Sequence, residues 1–228
     1  MKLKVPFINF KNYVVLKCYT SNAQVATAFP ITAASEIPPI KSKGNYPSTF
    51  RTCTGRVATL KTSASLPMWV SVEISSDSGT VNVVKSDETP NLCELDWSHN
   101  DDPYVSLDRM AILRLNTPWW LEEDTGINFV VAANIMNPTQ MHTPSGVANF
   151  KWQHDLNLFN YIRTEVKNSY TVTAGTPVLS LYPLTDKKLY VESYYDVGKT
   201  DYLATKTTTR AFFGNHAARV KKALCSIK

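Results

Sequence analysis

The sequence predicts an all-β protein, an antiparallel β-sandwich of jelly-roll-like form with a short C-terminal helix. Three observations carry that expectation. Short runs rich in Val, Ile, Tyr and Thr recur along almost the whole chain. Proline and Gly/Asn/Asp clusters punctuate them, with 13 prolines in 228 residues. Helical periodicity is confined to a stretch near the end. Many short strands between such breakers pack as sheets around one core.

KNYVVLKCYT (11–20) reads as the first strand. The next segment, 21–49, holds several breakers and no sustained period, so it is expected to be a long irregular connection with at most one helical turn. FRTCTGRVATLKT (50–62) alternates weakly. PMWVSVEISS (67–76) alternates well, with Met68, Val70, Val72 and Ile74 on one face. SDSG (76–79) is a hairpin signal, and TVNVVKS is its return strand. A polar excursion over 86–106 ends in an Asp-Asp-Pro turn, and DRMAILRLNTP (108–118) returns to a strand pattern. INFVVAANIM (127–136) holds an apolar run, which predicts a strand buried on both faces. With 147–162 it is expected to form the centre of the sandwich. After the loop 137–146 and that strand, residues 166–196 read as strand, turn, strand, turn, strand. Helix is predicted over 215–226, where Asn215 caps and Ala217, Val220 and Leu224 share a face, and as one turn at EEDTG. The domain expectation is one sandwich over 1–204 and a basic tail over 205–228.

Charge is uneven. After Asp201 the chain has no acid, while Lys206, Arg210, Arg219, Lys221, Lys222 and Lys228 are all cationic. Without those six, the 24 basic residues fall to 18 against 19 acidic ones, so the body is close to neutral. A basic end suits docking on an acidic protein surface or non-specific contact with nucleic acid phosphates. Phe212 and Phe213, just before the predicted helix, favour docking. No apolar run approaches the roughly 18 residues a spanning helix needs. Lys4, Pro6, Asn9, Lys11 and Asn12 interrupt the N-terminal stretch, so neither a membrane span nor a cleaved signal is expected. Cys18, Cys53, Cys93 and Cys225 lie far apart without a C-x-x-C pair, a spacing that fits unpaired thiols better than a disulfide framework.

Chemical leads are few. In VANFKWQHDLNLFNYI (147–162), His154 precedes Asp155. On a strand successive side chains face opposite ways, so the two cannot form a dyad. His154 then shares a face with Phe150, Trp152, Leu156 and Leu158, as a core histidine or as an inward metal ligand of a cupin-like enzyme. No H-x-H or H-x-D pattern supports a metal site, and His99, His142 and His216 are isolated. CELDWSHNDDP (93–103) is rich in ligand atoms but matches no zinc spacing. Glu122, Glu123 and Asp124 read as a solvated turn or, less simply, as carboxylates for glycosidic chemistry. Trp119 and Trp120 read as one core and one rim residue, or as a platform for sugar or protein. No nucleophile elbow, Walker loop or dinucleotide fingerprint occurs, so no cofactor is expected.

NFKNYVVLKCYT, RTCTGRVATLKTSASLPMWV, PWWLEEDTGINFVVAANIMN, PSGVANFKWQHDLNLFNY and AGTPVLSLYPLT together resemble uncharacterised β-rich proteins of tailed bacteriophages, particularly of marine hosts. The resemblance implies a virion component such as a decoration, neck or tail accessory protein, located in the virion or host cytoplasm. Its partners would be itself or other virion proteins. The expected function is therefore non-catalytic assembly through Trp119, Trp120, Arg210, Phe212, Phe213, Arg219, Lys221 and Lys222. The alternatives are the His154 enzyme and a carbohydrate- or host-surface-binding module.

Overall fold

The computed structural model describes residues 12–33, 62–77, 80–85, 97–101, 110–134, 141–163 and 167–207. In chain order the elements are β1 (Tyr13–Thr20), α1 (Ala23–Ala28), β2 (Thr32–Ala33), β3 (Ala64–Pro67) and β4 (Val72–Asp77). They continue with β5 (Thr80–Lys85), β6 (Trp97–Asp101), β7 (Met110–Glu122), β8 (Phe129–Ala133) and β9 (Gly146–Ala148). β10 (Asp155–Arg163), β11 (Asn168–Val172), β12 (Pro177–Pro183) and β13 (Lys188–Tyr195) follow. A helix α2 spans 197–207.

Three sheets share one core. The first has the order β10-β7-β1-β13, with β6 also on β7; the second is β2-β3-β12-β8-β9; the third is β11-β4-β5. Buried residues of all three, among them Leu16, Leu121, Leu158, Leu66, Phe129, Leu181 and Ile74, form a single hydrophobic cluster. The predicted mostly antiparallel, sandwich-like β fold is what the chain adopts. One pair departs from it: β1 and β13 run parallel, from Tyr13 beside Lys188 to Thr20 beside Tyr195. Parallel neighbours require a distant crossover, which no local sequence signal encodes.

β1 shows why periodicity was informative. Its burial alternates without exception, Val14, Leu16, Cys18 and Thr20 inward. Burial also pushes the Cys18 thiol far above its usual range, so it is an inert core residue without a disulfide partner. The predicted hairpin is equally direct, because Asp77 pairs with Thr80 around residues 78–79. Met68, Val70, Val72 and Ile74 are all buried as expected, yet the run is not one strand. Met68 donates its N–H to Thr176 O at 2.8 Å and accepts from Gly175 N at 2.7 Å, and there the chain crosses from the second sheet to the third.

β7 extends through Pro118, where the sequence placed a boundary. Proline lacks the ladder donor. The structure accommodates it in a bulge: residues 117–119 lie opposite Leu156 alone. Thr117 Oγ1 donates to Leu156 O at 2.6 Å across the gap. Two extra residues preserve parity, so Leu113 and Leu115 before the bulge, Trp119 within it and Leu121 after it all face the core.

Three expectations are corrected. The stretch 147–162 is not a central strand. It divides into β9, an edge of the second sheet, and β10, an edge of the first. The cause is Asn149, whose carbonyl oxygen accepts from Trp152 N and Gln153 N while its side-chain oxygen accepts from Lys151 N. Trp152 leaves the apolar face in consequence and is 45% exposed. β8 is not buried on both faces, since of its five residues Phe129 alone is fully buried. EEDTG holds no helical turn but a carboxylate-locked one, and helix forms at 197–207, where strand signals had just ended. That helix also crosses the expected boundary at residue 204. The helix predicted over 215–226 lies outside the described residues, as do the segments 50–61 and 86–96.

Buried polar side chains pin these segments together. Asn160 is fully buried on β10; its amide oxygen accepts from His142 N at 2.6 Å and its Nδ2 donates to Tyr170 Oη at 2.6 Å. It thereby ties 141–142 and β11 to the first sheet. Asn160→Ala is expected to cost about 2 kcal/mol, because two part-buried hydrogen bonds between segments are lost. Urea unfolding measures that loss, and amide exchange at Tyr161, which donates to His142 O, reports local detachment.

Candidate functional site

The outer face of the first sheet, at the Thr20 end of β1, gathers most of the remaining chemistry. Register places Tyr194, Tyr19, Trp120 and Asp155 in one row across four strands. One row back stand Glu192, Lys17 and Glu122. Helix α2 begins beside this face. Asp196 caps it, accepting from Lys199 N at 2.8 Å through its carboxylate and from Thr200 N at 3.1 Å through its carbonyl. The first turn therefore aims Lys199 at the sheet.

Lys199 Nζ lies 2.8 Å from Glu122 Oε2 and 3.0 Å from Oε1. It also sits 5.5 Å from the Tyr19 ring centre and 5.3 Å from that of Tyr202. Tyr19 stacks on Tyr194 with centroids 5.5 Å apart, and Lys206 lies 6.0 Å from the Tyr202 ring. The result is a ladder of rings and cations, Tyr194, Tyr19, Lys199, Tyr202 and Lys206. Burial works against the charge on Lys199, but the Glu122 hydrogen bond and charge outweigh it and raise the ammonium's pKa. Burial, reinforced by a hydrogen bond to Glu192, pushes the Tyr194 phenol up to about 12. Burial raises the Tyr19 phenol as well, so the two stacked rings stay neutral at ordinary pH.

Around the ladder the surface is open and aromatic. Tyr194 is 41% exposed, Tyr195 and Tyr202 are each 56% exposed, and Val197 is exposed between them. These four lie within nine residues of one another in sequence. Sequence reasoning missed all of them. The signal was the dense tyrosine run YVESYYDVGKTDY (190–202), which was read only as a strand.

The predicted sites fare unequally. Trp119 is buried in the core, and its indole N–H meets no acceptor among the described residues; Trp120 is half-buried in the aromatic row. Only Trp120 can take part in a surface. Arg210, Phe212, Phe213, Arg219, Lys221 and Lys222 lie outside the described residues, as do Cys93, Glu94 and Asp96. The three acids of EEDTG separate: Glu122 pairs with Lys199, Asp124 with Lys17 at 3.1 Å, and Glu123 is buried within its own turn.

His154 and Asp155 do not interact. Asp155 Oδ2 accepts from Asn157 Nδ2 at 3.0 Å. His154 is fully buried between β7 and α2, its Nδ1 2.9 Å from Leu121 O. The carbonyl can only accept, so Nδ1 carries the proton and Nε2 has a bare lone pair. Nε2 meets no partner among the described residues, and no group of three metal-ligating side chains occurs among them. Burial, aided by Lys206 and Lys199, holds the imidazole pKa below 6.5, although the Leu121 carbonyl and Glu122 oppose this.

A depressed histidine adds stability that is present above its unfolded value of 6.5 and lost as pH falls through the folded one. His154→Asn keeps a donor for Leu121 O and removes the titration. Stability of the wild type is expected to fall from pH 6.5 downward by at most about 1.4 kcal/mol per pH unit on this account. The variant should show a flatter profile, read from urea midpoints at several pH values.

No family model matches the sequence, and neither a curated protein nor a solved structure is significantly similar to it. No described helix is long and apolar enough to cross a membrane. The class these observations define is a β-sandwich-like protein with an aromatic, lysine-bearing surface.

Proposed function

We propose that this protein is a non-catalytic assembly component that works through protein–protein contacts, as a structural or accessory protein of a phage virion would. The observation that carries the reading is the exposure of Tyr194 and Tyr202, which the ladder joins through Tyr19 and Lys199 to the row that holds Trp120. Tyrosine and tryptophan supply large contact area with few rotors to freeze, and they dominate the energetics of protein interfaces. The ion pairs beneath, Lys199–Glu122 and Lys17–Asp124, hold the rings in place before a partner arrives. The phage setting rests on the sequence resemblance alone.

Light scattering on the full chain over a range of concentrations tests this. A mass above one chain that collapses in the Tyr194→Ser, Tyr202→Ser double variant supports self-assembly through this face. A monomer at all concentrations transfers the surface to a second protein or to the alternative reading. That alternative, carbohydrate or host-surface binding, draws on the same rings and on Glu192 and Asp155 at their margin. Glycan binding by the wild type, lost in the double variant, would establish it.

A further inference from the structure

We propose that α2 is a latch controlled by His154: the helix docks while the imidazole is neutral, and uptake of a proton on Nε2 releases it. The contacts of His154 are asymmetric. On one side His154 is locked to β7, its carbonyl accepting from Leu121 N at 2.7 Å and its Nδ1–H donating to Leu121 O. On the other, its backbone N–H reaches Thr207 Oγ1 at 3.4 Å, in the last described turn of α2. β7 is an interior strand, hydrogen-bonded along both edges. α2 is held mainly by Leu203, its fully buried apolar side chain, and by the Lys199 contacts. Of the two covers over His154, the helix is the weaker.

Nδ1 already holds a hydrogen, so an added proton must go to Nε2. That creates a buried N–H⁺ without an acceptor among the described residues. The charged groups around it do not help. Lys199 and Lys206 of α2 repel it, the Glu122 carboxylate on β7 is engaged by Lys199, and Asp155 on β10 is bonded to Asn157. Water must reach the imidazolium, and lifting α2 admits it. Lys199 and Lys206 lie on the helix, so release also withdraws both cations from the tyrosine ladder.

Hydrogen exchange of the full chain between pH 7.5 and 5 tests this independently of any partner. In the wild type, protection of α2 amides, corrected for intrinsic exchange, should fall about tenfold per pH unit once His154 titrates. Protection in β7 and β12 should hold, and H154N should keep α2 protected throughout. Equal loss in H154N, or loss of α2 and β7 together, overturns the proposal. Should H154N fail to fold, the wild type suffices: NMR titration of the imidazole and the loss of α2 protection must share a midpoint, and separate midpoints overturn it.

Discussion

Trp119→Ala lowers the unfolding free energy by about 4 kcal/mol, the cost typical of emptying a buried aromatic site. Trp119 is 1% exposed, lies in the β7 bulge and belongs to the shared core cluster. The strands on either side of it are held in register by β-ladders, Leu121 opposite Cys18 and Leu158 opposite Leu115, so the cavity cannot close by a strand shift. In a chain of this size the melting temperature should drop by roughly 10 °C. Trp120→Ala, on the outer face of the same strand, should cost only about 1 kcal/mol. Under the proposed function it should weaken association instead. Thermal unfolding of the two variants side by side separates them, and similar losses in both would contradict the assignment of Trp119 to the core and Trp120 to the surface.

Glu123→Ala is expected to cost about 3 kcal/mol, despite leaving little empty volume. The Glu123 side chain is buried and folds back over the residues that follow it. Oε1 accepts from Thr125 N at 2.8 Å and from the Thr125 hydroxyl, while Oε2 accepts from Gly126 N at 2.7 Å and Ile127 N at 3.1 Å. One carboxylate thus satisfies three backbone donors where the chain leaves the first sheet for the second. Gly126, at φ 85°, supplies the left-handed step that brings those donors together. Glu123→Gln preserves shape but replaces one oxygen by an amide donor, which then faces N–H groups. It should approach the alanine variant in cost, measured by the urea midpoint with an unchanged slope.

The resemblance between Glu122, Glu123 and Asp124 in sequence and their difference in space shows where sequence reading ended. Three adjacent acids before a glycine look like one solvated turn. Each instead meets a distant residue or its own backbone, and the cations involved, Lys199 and Lys17, are 77 and 107 positions away. The aromatic row was illegible for a similar reason. Tyr19, Trp120 and Tyr194 become neighbours only through strand register, and the parallel β1–β13 pair that sets it depends on a crossover spanning most of the chain. α2 escaped notice because VGKTDYLATKT (197–207) offers Leu203 as its main apolar contact, too little for a helical stripe. The Asp196 cap was the legible clue.

The sequence by itself determined the β class, the alternating burial of β1, the 76–79 hairpin and the buried face of Met68, Val70, Val72 and Ile74. It also determined that His154 and Asp155 are not a dyad. These are local matters, governed by side-chain alternation and turn chemistry. Only the tertiary structure decided that 147–162 breaks at Asn149, that Trp119 and Trp120 part company, and that a tyrosine–lysine ladder joins β1, β13 and α2. Those features arise from strand register and from hydrogen bonds across long separations, where the energy lies between residues that no sequence window contains.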